Sequence, residues 1–189
     1  MALSSSAPRR IRAFIALCPD AESRQQLVQL QRELRPTLPA AARWPHADDL
    51  HLTLRFLGAI DPTTLAQVTA RLQALSVPTL PPVRTESLQA WPQPQHARVL
   101  VLSTQLNTAT RELAERCEQI ATACGLAANT RAFRPHITLA RPPAGASSPL
   151  QASLPPTLGF DGLALMQSAA ADAQGRRYRR LAHGSLAHP

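Results

Sequence analysis

The sequence predicts an α+β fold of mostly antiparallel sheet, arranged as two pseudo-symmetric lobes with helices outside and a central cleft. Three observations carry this prediction. Short β-rich segments interleave with three stretches of helical apolar periodicity. Several of those segments are joined by turns too short to hold a crossover helix, so their strands run antiparallel. One pattern also occurs twice: HLTL at 51–54 returns as HITL at 136–139, about half a chain later.

Ile11 to Leu17 is β-rich and alternating, the first strand. Pro19 and Asp20 open a helix with Asp20 as its cap and Leu27, Leu30, Leu34 and Leu38 as its buried stripe. Leu50 to Phe56 is the second strand. Asp61 followed by Pro62 starts a second helix, with Leu65, Val68, Leu72 and Leu75 facing inward. VPTLPPV is a stiff, extended linker. The strands Thr85 to Ala90 and Arg98 to Ser103 follow, joined by the turn-rich WPQPQH. Asn107 opens a third helix with the stripe Ala109, Leu113, Cys117, Ile120 and Cys124, ended by Gly125. His136 to Ala140 is a strand, Pro142 to Pro156 a Pro- and Ser-rich loop, and Gly159 to Leu186 two or three strands turning at AQGRR. Residues 1–9 read as a flexible tail and 10–186 as a single two-lobed domain.

Composition narrows the function. All twenty basic residues are arginine against 12 acidic ones, a net charge of +8, so the expected partner is anionic and nucleic acid stands first. No apolar run approaches the ~20 residues that cross a bilayer. Three sparse cysteines without a CxxC pair exclude a disulfide scaffold and a cysteine-built zinc site. The expected location is the cytoplasm, with no membrane partner, and the expected state is a monomer.

The doubled pattern points to chemistry. On a strand, Leu50, Leu52 and Leu54 face the core while His51 and Thr53 share the other face; Ile137 and Leu139 face inward while His136 and Thr138 point out. A histidine and a threonine two apart lie roughly 6–7 Å from each other, close enough to hold one tetrahedral group. One HxT on a half-buried strand is ordinary. Two copies in matching context suggest lobes facing each other, each supplying an imidazole and a hydroxyl.

HLTLRFLG and FRPHITLAR resemble the two HxTx motifs of the two-histidine (2H) phosphoesterase superfamily, and most of all its bacterial RNA 2′,3′-cyclic phosphodiesterases, historically called 2′-5′ RNA ligases. The likeness runs from RAFIAL through WPHADDLHLTLRFLG, ARVLVL and FRPHITLAR to the closing strand with Tyr178. It implies hydrolysis of a terminal 2′,3′-cyclic phosphate to a 2′-phosphate without metal or other cofactor, with reversible 2′-5′ ligation as the same chemistry run backwards. It further implies that His51 donates a proton to the leaving O3′ and that His136 accepts one from water. Histidine suits both jobs because its ordinary pKa permits either state near neutrality. The two motifs are alike, so spacing alone does not say which imidazole is acid and which is base.

Charge grows on the non-bridging oxygens during attack, and Thr53, Thr138 and Arg141 fit as donors to them. Arg141 lies five positions after His136, so the strand must end or twist before it, as Pro142 allows; the resemblance implies a phosphate-binding arginine there. Arg134 shares the face of His136 and is a candidate for the RNA backbone. Arg55 is expected on the face of His51, reaching either substrate or a neighbouring carboxylate, and Phe56 on the core side with Leu54. Arg177, Tyr178 and Arg179 lie in the densest positive patch, able to follow RNA phosphates and stack a base, or else a solvated hairpin tip. Three other readings stay open: a metal hydrolase using Asp48, Asp49 and His51, a non-catalytic RNA- or nucleotide-binding module, and a phosphodiesterase acting on another nucleotide such as an ADP-ribose cyclic phosphate.

Overall fold

The computed structural model describes residues 10–143 and 152–184; the expected tail at 1–9, the middle of the Pro- and Ser-rich loop, and residues 185–189 lie outside the described residues. In chain order the elements are β1 (Ile11–Pro19), α1 (Ala21–Leu34), β2 (Leu52–Ile60), α2 (Pro62–Gln73), β3 (Val83–Trp91), β4 (Val99–Thr104), α3 (Thr108–Ala123), β5 (His136–Ala140), β6 (Thr157–Leu158), β7 (Phe160–Ser168) and β8 (Tyr178–Gly184). The three expected caps form. Asp20, Asp61 and Asn107 accept from the backbone N–H of Ser23, Thr64 and Thr110 at 2.7, 2.9 and 2.8 Å. Each satisfies one of the free donors at a helix start, a contribution of about 1 kcal/mol.

The strands make one eight-stranded sheet in the order β6-β3-β4-β5-β2-β1-β7-β8, and all neighbours are antiparallel. The two expected lobes are therefore halves of a continuous sheet. β2-β1-β7-β8 and β5-β4-β3-β6 meet at one residue pair, Leu52 with Ile137, at the centre of the doubled motif. The path β1–α1–β2 in one half repeats as β4–α3–β5 in the other.

Alternation along β1 separates the two faces. Ala13, Ile15 and Leu17 join the main core with Leu27, Leu30 and Leu34 of α1, Val68 and Leu72 of α2, and Leu113 and Cys117 of α3. Phe14, Ala16 and Cys18 look the other way, into a small cluster with Ala164, Met166 and Tyr178. The helices thus cover one face, and the opposite face is left to the motif histidines. α1 reaches across to β5 and α3 to β2, so each helix also supports the other half's motif strand. Buried Gln31 fastens α1 there by donating to the Leu139 carbonyl at 3.0 Å and to the Pro45 carbonyl at 3.1 Å. Cys18, Cys117 and Cys124 are buried free thiols. No helix among the described residues is long and apolar enough to cross a membrane.

Candidate active site

The single bridging pair between β2 and β5 sets the site. Continuing its antiparallel register by one residue in each direction brings His51 beside Thr138 and Thr53 beside His136, a square of two imidazoles and two hydroxyls on the face away from the helices. Its floor continues outward in both directions. Ala16 of β1 pairs with Thr53, and Ser103 and Val101 of β4 pair with His136 and Thr138. Ala16, Ser103 and Val101 all carry short side chains.

Each imidazole is fixed by the same local device. Nδ1 of His51 lies 2.6 Å from the Asp49 carbonyl, and Nδ1 of His136 lies 2.7 Å from the Arg134 carbonyl. A carbonyl oxygen can only accept, so in both rings Nδ1 carries the proton and Nε2 is the atom left to take or give one. The walls around the rings differ. His51 packs against Phe14 (ring centroids 4.8 Å apart) and the edge of Tyr178 (5.0 Å), while His136 lies on Trp91 (4.6 Å). Arg134 places its guanidinium 4.3 Å above the same Trp91 ring. Gln89 takes a hydrogen bond from the Trp91 Nε1–H at 2.8 Å and a longer one from Arg134, which orients that wall.

These surroundings lower both imidazole pKa values. Burial pushes His51 down to about 4, and charges on His136 and Arg141 add to it; the Asp49 carbonyl works the other way. Burial also lowers His136; the Arg134 carbonyl works against it, and the Arg134 charge adds a smaller lowering. Before an anion arrives, both rings are held neutral at pH 7.

Arg141 emerges beside the site. In the β4–β5 ladder Leu100 pairs with Ala140 but Val101 with Thr138, so Leu139 is an extra residue and the alternation slips there. Leu139 and Ala140 are both buried, and Arg141 emerges exposed, close enough to oppose charge on His51. Its backbone bridges to Arg43, which lines the same cavity of about 310 Å³ together with Trp44, Arg177 and Tyr178.

Two expectations fail, and one cause explains both. Arg55 does not share the face of His51, and Phe56 is not in the core. β2 shifts register twice against β1: Ile15 pairs with Arg55 but Ala16 with Thr53, and Phe14 pairs with Phe56 but Ala13 with Gly58. The extra residues are Leu54 and Leu57, and Gly58 takes the positive φ of +74° that the second irregularity uses. Arg55 therefore turns to the helix side, 8% exposed, where it pairs with Glu118 of α3 and donates to the Ala127 carbonyl. Phe56 turns to the open face, 62% exposed, with its ring 5.9 Å from Phe14. Of the two readings of Arg55, the neighbouring carboxylate is the one realised. Arg55→Met is expected to lower stability by about 2 kcal/mol, since the part-buried Glu118 loses its partner. Turnover per folded molecule should stay at the wild-type value; a denaturant titration beside an activity assay checks both.

Asp49, which the sequence offered as a metal ligand, has another task. It is 2% exposed, and its carboxylate accepts the backbone N–H groups of Arg177 at 2.6 Å and Tyr178 at 3.2 Å. It thereby pins the start of β8 and sets the Tyr178 ring against His51. Among the described residues no three His, Cys, Asp or Glu side chains gather as a metal site. Phe14, Trp91, Phe56, Asp49 and Arg43 were not singled out for this role by the sequence. Phe14 had only one sign, an aromatic on an expected strand whose partners were unknown; Trp91 was expected in the turn WPQPQH, whereas β3 runs on to include it.

Comparison with known proteins follows the same lines. Residues 17–101, which include the first motif, match the family model described as LigT like Phosphoesterase. An RNA 2′,3′-cyclic phosphodiesterase of Geobacillus stearothermophilus is 26% identical over 134 residues, covering 70% of this chain and 42% of that protein. One of Bacillus subtilis is 30% identical over 100 residues, covering 52% of this chain and 55% of its own length. The matches thus span about half the length of these curated relatives. Solved structures cover more: E. coli LigT complexed with 3′-AMP superposes with a TM-score of 0.70 and 28% identity over 95% of this chain and 99% of that one. TT0787 of Thermus thermophilus gives 0.70 and 28% over 93% and 98%. With the doubled motif seated at the centre of a sheet that these structures share nearly end to end, the chain is similar to LigT in fold and, over residues 17–101, to the LigT-like phosphoesterases in sequence.

Proposed function

We propose that this chain hydrolyses the 2′,3′-cyclic phosphate at an RNA end to a 2′-phosphate, using His51 and His136 as a proton-transfer pair. The observation that carries the reading is the matched fixing of the two rings, each with Nδ1 on the carbonyl two residues earlier. In-line opening of the ring needs a proton taken from the attacking water and another given to O3′ on the far side of phosphorus. His136 Nε2 takes the first, and the water oxygen bonds to phosphorus as the bond to O3′ breaks. His51, charged once the anionic substrate is in place, gives the second through Nε2. Thr53, Thr138 and Arg141 donate to the non-bridging oxygens as their charge grows. With a 5′-hydroxyl in place of water, the same steps join two ends through a 2′-5′ linkage. The relatives named above as RNA 2′,3′-cyclic phosphodiesterases support this substrate.

The test is to incubate the purified protein with an oligonucleotide ending in a 2′,3′-cyclic phosphate in the presence of a chelator. A 2′-phosphate product at an undiminished rate is expected. A 3′-phosphate product, loss of turnover on chelation, or binding without turnover overturns the reading. The last result points instead to a binding module.

A further inference from the structure

A second concavity adjoins the cleft. It is a groove of about 620 Å³ that contains Arg24, Arg176, Arg177, Arg179 and Arg180 against Asp48 and Asp172. Two of these arginines are already partnered: Arg24 lies 3.8 Å from Asp48, and Arg176 lies 2.8 Å from Asp172. Arg177, Arg179 and Arg180 are exposed and have no carboxylate partner among the described residues. They are also held in place. The backbone of Arg177 is fixed by Asp49, Arg179 pairs with Gln167 within the β7–β8 ladder, and the Arg180 guanidinium donates to Cys18 Sγ at 3.2 Å.

Arg177 and Tyr178 line both this groove and the cavity beside Arg141, so the two spaces meet at Tyr178. The other flank is different. The concavity beside Trp91 is lined by one arginine, Arg134, whose guanidinium already lies on the indole. Three exposed arginines without a carboxylate partner among the described residues thus line the groove that adjoins the His51 side, where the concavity beside Trp91 is lined by one. A ligand with one anionic group would not use all three. A single-stranded phosphodiester chain would, because each successive phosphate meets another fork-shaped donor.

Resting on the reading in the preceding subsection, we propose that this groove is a subsite for the phosphodiesters 5′ to the reacting nucleotide. The strand then enters over Tyr178 on the His51 side, and the protein prefers oligonucleotides to cyclic mononucleotides. The experiment measures kcat/KM for a 2′,3′-cyclic mononucleotide and for a tetranucleotide with the same reactive end, over a series of salt concentrations. The ratio of the two values should fall with salt, with a log–log slope of about −2 for three contacts to a single strand. In Arg179→Gln/Arg180→Gln the ratio at low salt should drop roughly tenfold and the slope should flatten by about 1.4. Arg84→Gln, an exposed arginine on β3 in the far half, should leave the ratio as it is.

A wild-type ratio that does not change with salt overturns the proposal whether or not the double variant folds. So does a double variant with the wild-type ratio and slope, or an Arg84 variant that loses as much as the double one. If wild type turns over neither substrate, the proposed phosphodiesterase activity fails instead.

Discussion

Replacing either His51 or His136 with alanine is expected to lower kcat/KM for a 2′,3′-cyclic phosphate by about 10²–10⁴-fold, the usual share of one positioned proton transfer. The double variant should be little worse than the poorer single one, because the two rings act in the same step. The pH profile separates this from a loss of binding. His51 is held at about 4 and His136 below its ordinary value, each by burial first. For kcat/KM, which reports the free enzyme, both limbs of the bell should therefore lie below pH 6.5, as macroscopic values of the pair. For kcat, a bound phosphate anion favours imidazolium, so its limbs should move to higher pH. A kcat/KM profile that is flat from pH 5 to 9 in wild type would overturn the two-histidine assignment, as would wild-type turnover in either alanine variant.

The stability of the fold should follow the same shift. A buried imidazole with a depressed pKa stays neutral when its unfolded counterpart has taken a proton. The unfolded state therefore binds more protons as pH falls, and stability is lost between about 6.5 and 4. The cleft is least stable in the acid range where its free-enzyme rate constant peaks.

How much of this was legible in the sequence depended on how local the cause was. Asp20, Asp61 and Asn107 cap the helices they were expected to cap, since a cap is decided within three residues. Leu27, Leu30 and Leu34 of α1, Val68 and Leu72 of α2 and Leu113 and Cys117 of α3 are buried as expected because helical periodicity is a property of one segment. Leu38 and Leu75, beyond the ends of α1 and α2, are only partly buried, as are Leu65, Ala109 and Ile120. The two motifs were readable as a pair because each lies on a strand with a clean alternation at its histidine and threonine. That alternation held as far as Leu54. Beyond it, Arg55 and Phe56 changed faces through bulges that exist only in the pairing of β2 with β1, and Gly58 within a strand was the one mark left in the sequence. Arg141 was named by the resemblance, with Pro142 allowing the strand to end before it; the slip that re-aims it lies at Leu139. The aromatic walls were not recoverable. Phe14, Trp91 and Tyr178 come from three strands, and which of them stands beside which histidine is decided by sheet order and register across both halves.

Asp49→Ala is expected to damage the site from outside it, through stability and catalysis together. The carboxylate accepts two backbone N–H groups at a buried position, and removing it leaves both without a partner, at a cost of about 2–4 kcal/mol. The catalytic effect follows from what those bonds hold. They fix the first residues of β8, and hence the Tyr178 edge that helps desolvate His51. With Tyr178 released, the His51 pKa should rise towards 6.5, and the limb of kcat/KM nearest 4 should move up in pH while the other limb stays. A purely structural role would lower the amount of active protein and leave the limbs where they are. Asp49→Asn keeps one accepting oxygen and should restore part of the shift, and the ring protons of His51, followed by NMR, report the same pKa directly. The opposite half shows why this residue matters. The position two before each histidine supplies the carbonyl that sets the tautomer and a side chain that steadies the aromatic wall: Asp49 holds Tyr178 through its backbone, and Arg134 lies on Trp91. One repeat of the fold performs the task with a carboxylate and the other with a guanidinium. The Arg134 charge lowers the His136 pKa, so Arg134→Gln should raise it, and a His136 limb that stays in place would show that Arg134 acts on the aromatic wall alone.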